Sequence, residues 1–292
     1  MNHEAFVSVL MTAYNRQNFI AEAIESVLAS TYKNFELIIV DDCSKDSTVA
    51  IAKGYEKSDS RVKVYVNEIN LTDYVNRNKA ASYAVGKYLK YVDSDDVLYP
   101  HGLEVMVRGM ERFPEAALGM IYGLPTNEPS PILYSSYEAW YSYFFKNIWL
   151  QVGPSGCIYK RDAFEMVGGF SGKPYVGDFE LNMKLSALYP VVRLQTDLFF
   201  YRVHDNRQSV EQGKSNKINY LNHQVNLEAL KSPHCPLSPE EKNIAFRIQN
   251  KLQSRRALQI LLKNRRPDYF KEMVLNSSMG WRNFLRGLLS VK

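Results

Sequence analysis

The first hundred residues alternate between short apolar runs and segments whose apolar positions recur at helical spacing. Residues 6–11, 35–40 and 88–92 are mostly apolar runs of strand length, and residues 62–66 alternate as a strand does. Residues 19–28 place Ile20, Ala23, Ile24, Val27 and Leu28 on one helical face, and residues 47–57 do the same with Val49, Ile51 and Ala52. Residues 74–85 read as a third helix, with Gly86 as its C-cap glycine. Repeated strand–helix units with short links predict an α/β domain with a mostly parallel central sheet flanked by helices, joined by right-handed crossovers. No GxGxxG follows the first run and no GxxxxGK[ST] occurs anywhere, which disfavours a dinucleotide fold and a P-loop.

The pattern changes further on. Residues 101–113 read as a helix behind Pro100, and residues 124–136, with Pro125, Pro129 and Pro131, read as a loop. Residues 134–149 are dense in aromatics, and residues 178–188 form the last large element of the body. Beyond that the chain becomes helical and charged, interrupted at Pro233, Pro236 and Pro239. The expected organisation is a body over residues 1–210 and a helical, basic C-terminal extension over 211–292.

Composition sharpens this division. The chain has 292 residues, 46% of them apolar, enough for one large domain and an appendage. The net charge of +5 is uneven, with 15 Lys and Arg against 6 Asp and Glu in residues 211–292, and 21 against 25 elsewhere. A basic tail on a near-neutral body suits an anionic membrane surface, or else is a solvated helical face. Nucleic acid is not an expected partner. No apolar run reaches the roughly 18 residues of a membrane span, and Met1-Asn2-His3-Glu4 lacks a signal-like start. Cys43, Cys157 and Cys235 are too scattered for a disulfide framework or zinc cluster, so a reducing cytoplasm is expected.

Three of the strand-like runs end in polar residues: Thr12-Ala13-Tyr14-Asn15, Asp41-Asp42-Cys43-Ser44 and Asp93-Ser94-Asp95-Asp96. In an open α/β sheet, ligands bind beyond the carboxyl ends of the strands. Asp93 and Asp95, two apart, would project to one side of an extended backbone and hold Mg²⁺ or Mn²⁺ on a diphosphate. The alternative is an Asp-rich turn capping the helix near His101. Asp41 could accept the imide N–H of uracil, or cap the helix near Ser47. Tyr14 could stack on a base, or simply pack.

Taken together, Val7-Ser-Val-Leu-Met-Thr-Ala-Tyr-Asn15, Val40-Asp-Asp-Cys-Ser-Lys-Asp-Ser-Thr48, Arg77-Asn78 and Asp93-Ser-Asp-Asp96 resemble the inverting family 2 glycosyltransferases of GT-A fold. The likeness continues through Gly153-Pro-Ser-Gly-Cys-Ile-Tyr-Lys-Arg161, Val167-Gly-Gly-Phe170, Gly177-Asp178-Phe-Glu180-Leu181 and Tyr201-Arg-Val-His204 with Ser209, and covers about residues 6–210. The resemblance implies a nucleotide-sugar donor, usually of uridine, held by Thr12, Ala13, Tyr14, Asn15, Asp41, Arg77, Asp93 and Ser94. It implies a divalent metal, Mn²⁺ or Mg²⁺, on Asp95 with Asp93 and in some members His204. It implies Asp178 as the base that deprotonates a hydroxyl of a saccharide or lipid-linked acceptor. The competing local reading of Asp178 is a helix N-cap.

Two positions depart from the family pattern. Gly177 replaces the usual acidic residue before the base, whose role could pass to Glu180, and Lys79 stands where glycine often follows Arg-Asn. Metal proximity is expected to keep the Asp178 pKa low. Within residues 134–149, Trp140 and Trp149 are candidate acceptor-stacking rings, a core helix being the alternative. Residues 281–289 read as a short amphipathic helix, with Trp281, Phe284, Leu285, Leu288 and Leu289 on one face and Arg282 and Arg286 beside it, supported by Arg255, Arg256, Lys263, Arg265 and Arg266. Such a helix would bring the protein to the inner face of the cell membrane, or pack on the catalytic body or a second subunit. The other readings of the chain are a polyprenyl-phosphate sugar synthase and an inactive GT-A binding subunit.

Overall fold

The computed structural model describes residues 4–123, 128–146, 149–204, 217–263, 267–271, 274 and 280–289. They fall into two compact units, residues 1–139 with 149–203, and residues 140–148 with 204–292.

The first unit is built on an eight-stranded sheet of order β3-β2-β1-β4-β8-β6-β9-β7. Its strands are β1 Val7–Ala13, β2 Phe35–Asp41, β3 Val62–Val66, β4 Tyr88–Tyr91, β6 Leu118–Ile121, β7 Ile132–Tyr134, β8 Cys157–Lys160 and β9 Val191–Leu194. A two-stranded ribbon pairs β5, Val97–Leu98, with β10, Phe199–Phe200. Strands β3, β2, β1 and β4 run parallel, whereas β8 is antiparallel to both its neighbours. The helices are α1 Ile20–Leu28, α2 Thr48–Ser58, α3 Asp73–Ser82, α4 Gly102–Glu111, α5 Ser136–Tyr141, α6 Arg161–Met166 and α7 Gly177–Leu188.

Strand β2 is buried at every position and β1 at all but Thr12. Burial on both faces explains why these strands read as continuous apolar runs rather than alternating ones. The polar residues inside them are paired. Ser8 Oγ donates to Glu36 Oε1 at 2.7 Å, and Lys63 Nζ lies 2.9 Å from Glu36 Oε2. The backbone N–H of Val85 donates to Glu36, and that of Gly86 to Ser8 Oγ.

That cluster corrects the predicted end of α3. The helix stops at Ser82 because the amides of Val85 and Gly86 are taken by Ser8 and Glu36. Gly86 is not a helix cap, either. A Cβ there would lie 2.4 Å from the Ser8 backbone nitrogen, so glycine is needed for the approach to β1. Short strands β6, β7 and β9 were not singled out by the pattern; β7 is an edge strand inside the Pro-rich stretch, paired antiparallel to β9.

The chain visits β2 and β3 on one side of β1 and then returns to β4 on the other. The strand order therefore reverses between β1 and β4, and the crevice beyond their carboxyl ends is where such a sheet binds ligands.

The second unit holds the helices Lys217–Lys231, Pro239–Lys263, Pro267–Lys271 and Gly280–Leu289. Ala257, Ile260, Phe270, Val274 and Phe284 form its apolar core. Phe284 therefore packs inside, in an aromatic group with Phe270 and Trp281, whereas Trp281 and Leu285 remain exposed. The side chains of Arg282, Leu288 and Leu289, and residues 209, 265 and 266, lie outside the described residues. Among the described residues, no helix is long and apolar enough to cross a membrane.

Gly86→Ala should destabilise the first unit by roughly 1–3 kcal/mol, the usual cost of overpacking, because the contact is with backbone that cannot turn aside. A lowered urea midpoint at unchanged m-value checks this; an unchanged midpoint would show that the turn relaxes freely.

Candidate functional site

Three loops meet beyond the carboxyl ends of β1, β2 and β4, and residues in uncommon conformations shape the first two and the approach to α3. Asn15, Cys43 and Thr72 all have positive φ, at 52°, 68° and 69°. Such values are unusual for residues other than glycine and are held by surrounding bonds. Asn15 donates its N–H to Ser44 Oγ and accepts the Lys45 N–H on Oδ1, which ties the β1 loop to the β2 loop. Asp41 is fully buried, and both its oxygens accept from Ser44. Asp42 accepts from Asn67 and from the N–H groups of Leu71 and Thr72, fixing the approach to α3. The two carboxylates thus brace the loops, while Tyr14 stands out from them at 45% exposure.

At the end of β4 the chain does not stay extended. The Asp96 N–H donates to the Asp93 carbonyl, closing a turn. The turn gathers the carboxylates of Asp93, Asp95 and Asp96, with ligand oxygens all within 4.8 Å of one another. Sequence reasoning placed only Asp93 and Asp95 here; the turn adds Asp96, for which Asp-Asp was the available signal. Ser94 is buried in the same turn.

So many negative charges at one turn need compensation. Arg77 Nη2 lies 2.8 Å from Asp93 and its Nε 2.7 Å from Asp73. Burial alone would weaken the guanidinium's charge, but Asp73 and Asp93 hold its pKa well above the usual value. Among the described residues its buried Nη1 has no hydrogen-bond partner. Arg16 Nε lies 3.3 Å from Asp95. The Arg202 N–H donates to Asp96, and its guanidinium bonds the Asp95 carbonyl and Glu22, between the rings of Phe19 and Phe200. Arg16 and Arg202 were missed from sequence, the latter although it sits in the quoted Tyr201-Arg-Val-His204. His204 belongs to the second unit. Lys90, fully buried under the turn, donates to the Ser155 carbonyl, and burial brings its pKa down to about 8. Ser155 Oγ in turn accepts the Asp93 N–H.

Three carboxylate oxygens at this spacing fit a hard divalent cation such as Mg²⁺ or Mn²⁺. The fit is to chemistry and spacing, with the arginines offsetting the charge that a cation would otherwise meet.

Asp178 opens α7 across from α3. Its Oδ1 accepts from the Tyr74 hydroxyl at 3.0 Å and from the Phe179 N–H at 2.8 Å. Desolvation raises its pKa, opposed by those two donors and by Arg77. Among the protein's own groups burial outweighs Arg77, and the lowering expected from a nearby metal ion stands apart from this balance. Asp178 lies in the first turn of the helix, one residue past its start, so it is not the N-cap, which is Val176. Glu180 is held by Ser171, Lys173 and Lys184, the two lysine ammoniums at 3.1 and 3.5 Å. Asn78 clamps the backbone of Phe170 from both sides, and Gly168 and Gly169 before it have φ of +79° and +61°.

Trp140 and Trp149 are not surface rings. Trp140 is 1% and Trp149 2% exposed, the latter against Tyr134 and Tyr122. This corrects the acceptor-stacking expectation: both rings serve packing, as aromatics at helical spacing usually do.

The family model for glycosyl transferase family 2 matches residues 8–165, more than half of the chain. The chain belongs to that family. EpsE of Bacillus subtilis (strain 168) is 42% identical over 113 residues, which is 38% of this chain and 41% of that protein. The Escherichia coli protein named UDP-Glc:alpha-D-GlcNAc-diphosphoundecaprenol beta-1,3-glucosyltransferase WfgD is 40% identical over 104 residues, 36% of this chain and 40% of that one. The matched region thus spans less than half the length of either relative. The crystal structure of S. aureus TarS 1-349 in complex with UDP-GlcNAc superposes with a TM-score of 0.70 over 97% of this chain and 81% of that one. At 18% identity this is a likeness of fold, and the fold is the α/β architecture with a helical C-terminal region expected from sequence.

Arg77→Met should cost roughly 3 kcal/mol of stability, the scale of leaving buried carboxylates without their partner. Arg77→Lys should recover only part, since an ammonium cannot bridge Asp73 and Asp93 as a planar fork does. Urea unfolding of both variants decides; equal stability of Arg77→Met and the parent would remove the compensating role.

Proposed function

We propose that the chain is an inverting, metal-assisted glycosyltransferase that moves a sugar from a uridine diphosphate donor to a hydroxyl of a saccharide or lipid-linked saccharide.

 The observation that carries this reading is the group of three carboxylates within 4.8 Å of one another, set at the point where the strand order reverses. The nucleoside would lie over Tyr14, beside Thr12, Ala13 and Asn15, with Asp41 and Asp42 holding the loops that receive it. The diphosphate would lie towards Asp93, Ser94 and Arg77, whose partnerless Nη1 is a donor suited to a phosphate oxygen. A divalent ion held by Asp93, Asp95 and Asp96 would supply positive charge beside the departing diphosphate.

Asp178 is the general base of this scheme. The acceptor oxygen attacks the anomeric carbon and gives its proton to Asp178. The bond from that carbon to the diphosphate oxygen breaks, and its electron pair leaves with the nucleoside diphosphate. One displacement of this kind inverts the anomeric centre. Uridine as the base and a lipid-linked glycan as the acceptor are supported by the names of WfgD and of the TarS complex.

The test is a transfer assay with nucleoside diphosphate sugars of different bases, in Mn²⁺ and in EDTA, alongside Asp95→Asn and Asp178→Asn. The parent should prefer uridine donors and need the ion. Asp95→Asn should lose Mn²⁺ binding by calorimetry. Asp178→Asn should keep donor binding and lose roughly 10²-fold or more in transfer, the usual scale for a general base. Full transfer in EDTA would overturn the metal assignment, and near-normal transfer by Asp178→Asn would overturn the base.

Because burial raises the Asp178 pKa, and the base acts only when ionised, the rate should fall as pH drops through that raised value. A rate independent of pH across the acid range would contradict the assignment.

A further inference from the structure

Asp178 receives its hydrogen bonds unevenly. Both that it accepts among the described residues, from the Tyr74 hydroxyl and the Phe179 N–H, fall on Oδ1. Oδ2 points towards Gly153, whose added Cβ would be 3.8 Å away. Two donors on one oxygen draw charge towards it and fix the plane of the carboxylate.

The Tyr74 ring reaches this place through a gap left by residue 177. A Cβ on Gly177 would lie 2.8 Å from Tyr74 Cδ2 and 2.9 Å from Cε2. Gly177 has no positive φ, so the need for glycine here is one of space. The ring also packs on Phe170, centroids 5.2 Å apart, and Asn78 holds the Phe170 backbone. Burial and the nearby Asp178 push the Tyr74 hydroxyl well above the usual phenol range. It stays protonated, and therefore a donor, throughout the pH range in which a carboxylate titrates.

We propose that Tyr74 is a positioning residue for Asp178: its hydroxyl holds Oδ1 so that Oδ2 is presented to the acceptor, and glycine at 177 makes room for the ring. The inference rests on the reading of Asp178 as the base. It also gives a physical reason for glycine at position 177, where a Cβ would meet the Tyr74 ring. The charged and titratable groups around Asp178 are Asp73, Tyr74 and Arg77 on α3 and Cys157 and Tyr159 on β8. Asp73 opposes ionisation of Asp178, and Arg77 favours it.

Tyr74→Phe keeps the ring and removes the hydroxyl. The Tyr74 bond lowers the Asp178 pKa, so its loss should raise that pKa and move the acid limb of the pH–rate profile upward. The expected shift is roughly one pH unit, the scale of one hydrogen bond to a charged group. kcat should fall roughly tenfold at a pH on that limb, with donor KM and melting temperature close to the parent's. Gly177→Ala should produce the same upward shift by displacing the ring; if it does not fold, Tyr74→Phe still decides. An acid limb that stays in place, or a loss of activity explained by a lower melting temperature, would overturn the proposal. Asp178→Asn separates the two readings. If it abolishes transfer while Tyr74→Phe leaves the profile unmoved, only the positioning role falls. If it leaves transfer intact, the base assignment itself falls.

Discussion

Charge compensation at one turn organises the first unit. Three carboxylates held within 4.8 Å repel one another, and the turn persists because cations are drawn to it from distant parts of the chain. Arg16 comes from the loop after β1, Arg77 from α3, and Arg202 from the segment after β10. Each also has a second attachment. Arg16 donates its N–H to Thr48, Arg77 pairs with Asp73, and Arg202 pairs with Glu22. The acidic turn is therefore fastened to α1, α2 and α3 at once. Ionic partners of this kind do little for stability when exposed, but more when buried and hydrogen-bonded, as Arg77 is.

The same logic explains why so many polar residues in the loops are structural. Asp41 and Asp42 lie where a ligand-reading role was expected, and their oxygens also accept from Ser44, Asn67, Leu71 and Thr72. Buried carboxylates must be paired, and backbone N–H groups at the ends of strands supply the pairing. The positive φ of Asn15, Cys43 and Thr72 is sustained by these bonds. A preorganised rim is the result, with Tyr14 exposed upon it.

Much of this was legible in the sequence, for reasons that can be traced. Strands β1, β2 and β4 announced themselves because burial on both faces makes them largely apolar, and β3 because its residues alternate between buried and exposed. The helices between them kept apolar residues on one face. Asp93 and Asp95 stood out as carboxylates at a strand end. What was not legible depended on contacts far apart in the chain. The early stop of α3 is set by Ser8 and Glu36, more than forty residues upstream. Asp96 joined the acidic group because the chain turns at Asp93, where an extended backbone was assumed. Arg16 carries no local signal, since a single arginine in a loop resembles any solvated charge, and Arg202 stands inside Tyr201-Arg-Val-His204 without a role being read for it. Trp140 and Trp149 could have been surface or core by composition alone, and only packing placed them inside.

Helix α3 connects the two halves of the site. Tyr74 and Arg77 are three residues apart and therefore share a face, as Asp73 and Arg77 do at four. On that face Arg77 reaches Asp93 at the acidic turn and Tyr74 reaches Asp178 at the start of α7. Asn78, next along, holds the backbone of Phe170, against which Tyr74 packs. A helix of ten residues, roughly three turns, is stiff over this distance, so the separation between the acidic turn and the base is fixed by a single rigid element. Arg77 acts on both carboxylates, pairing directly with Asp93 and favouring the ionised form of Asp178. The charge state of the base and the geometry of the acidic turn are thereby coupled through one side chain, which a pair of independently folded loops would not achieve.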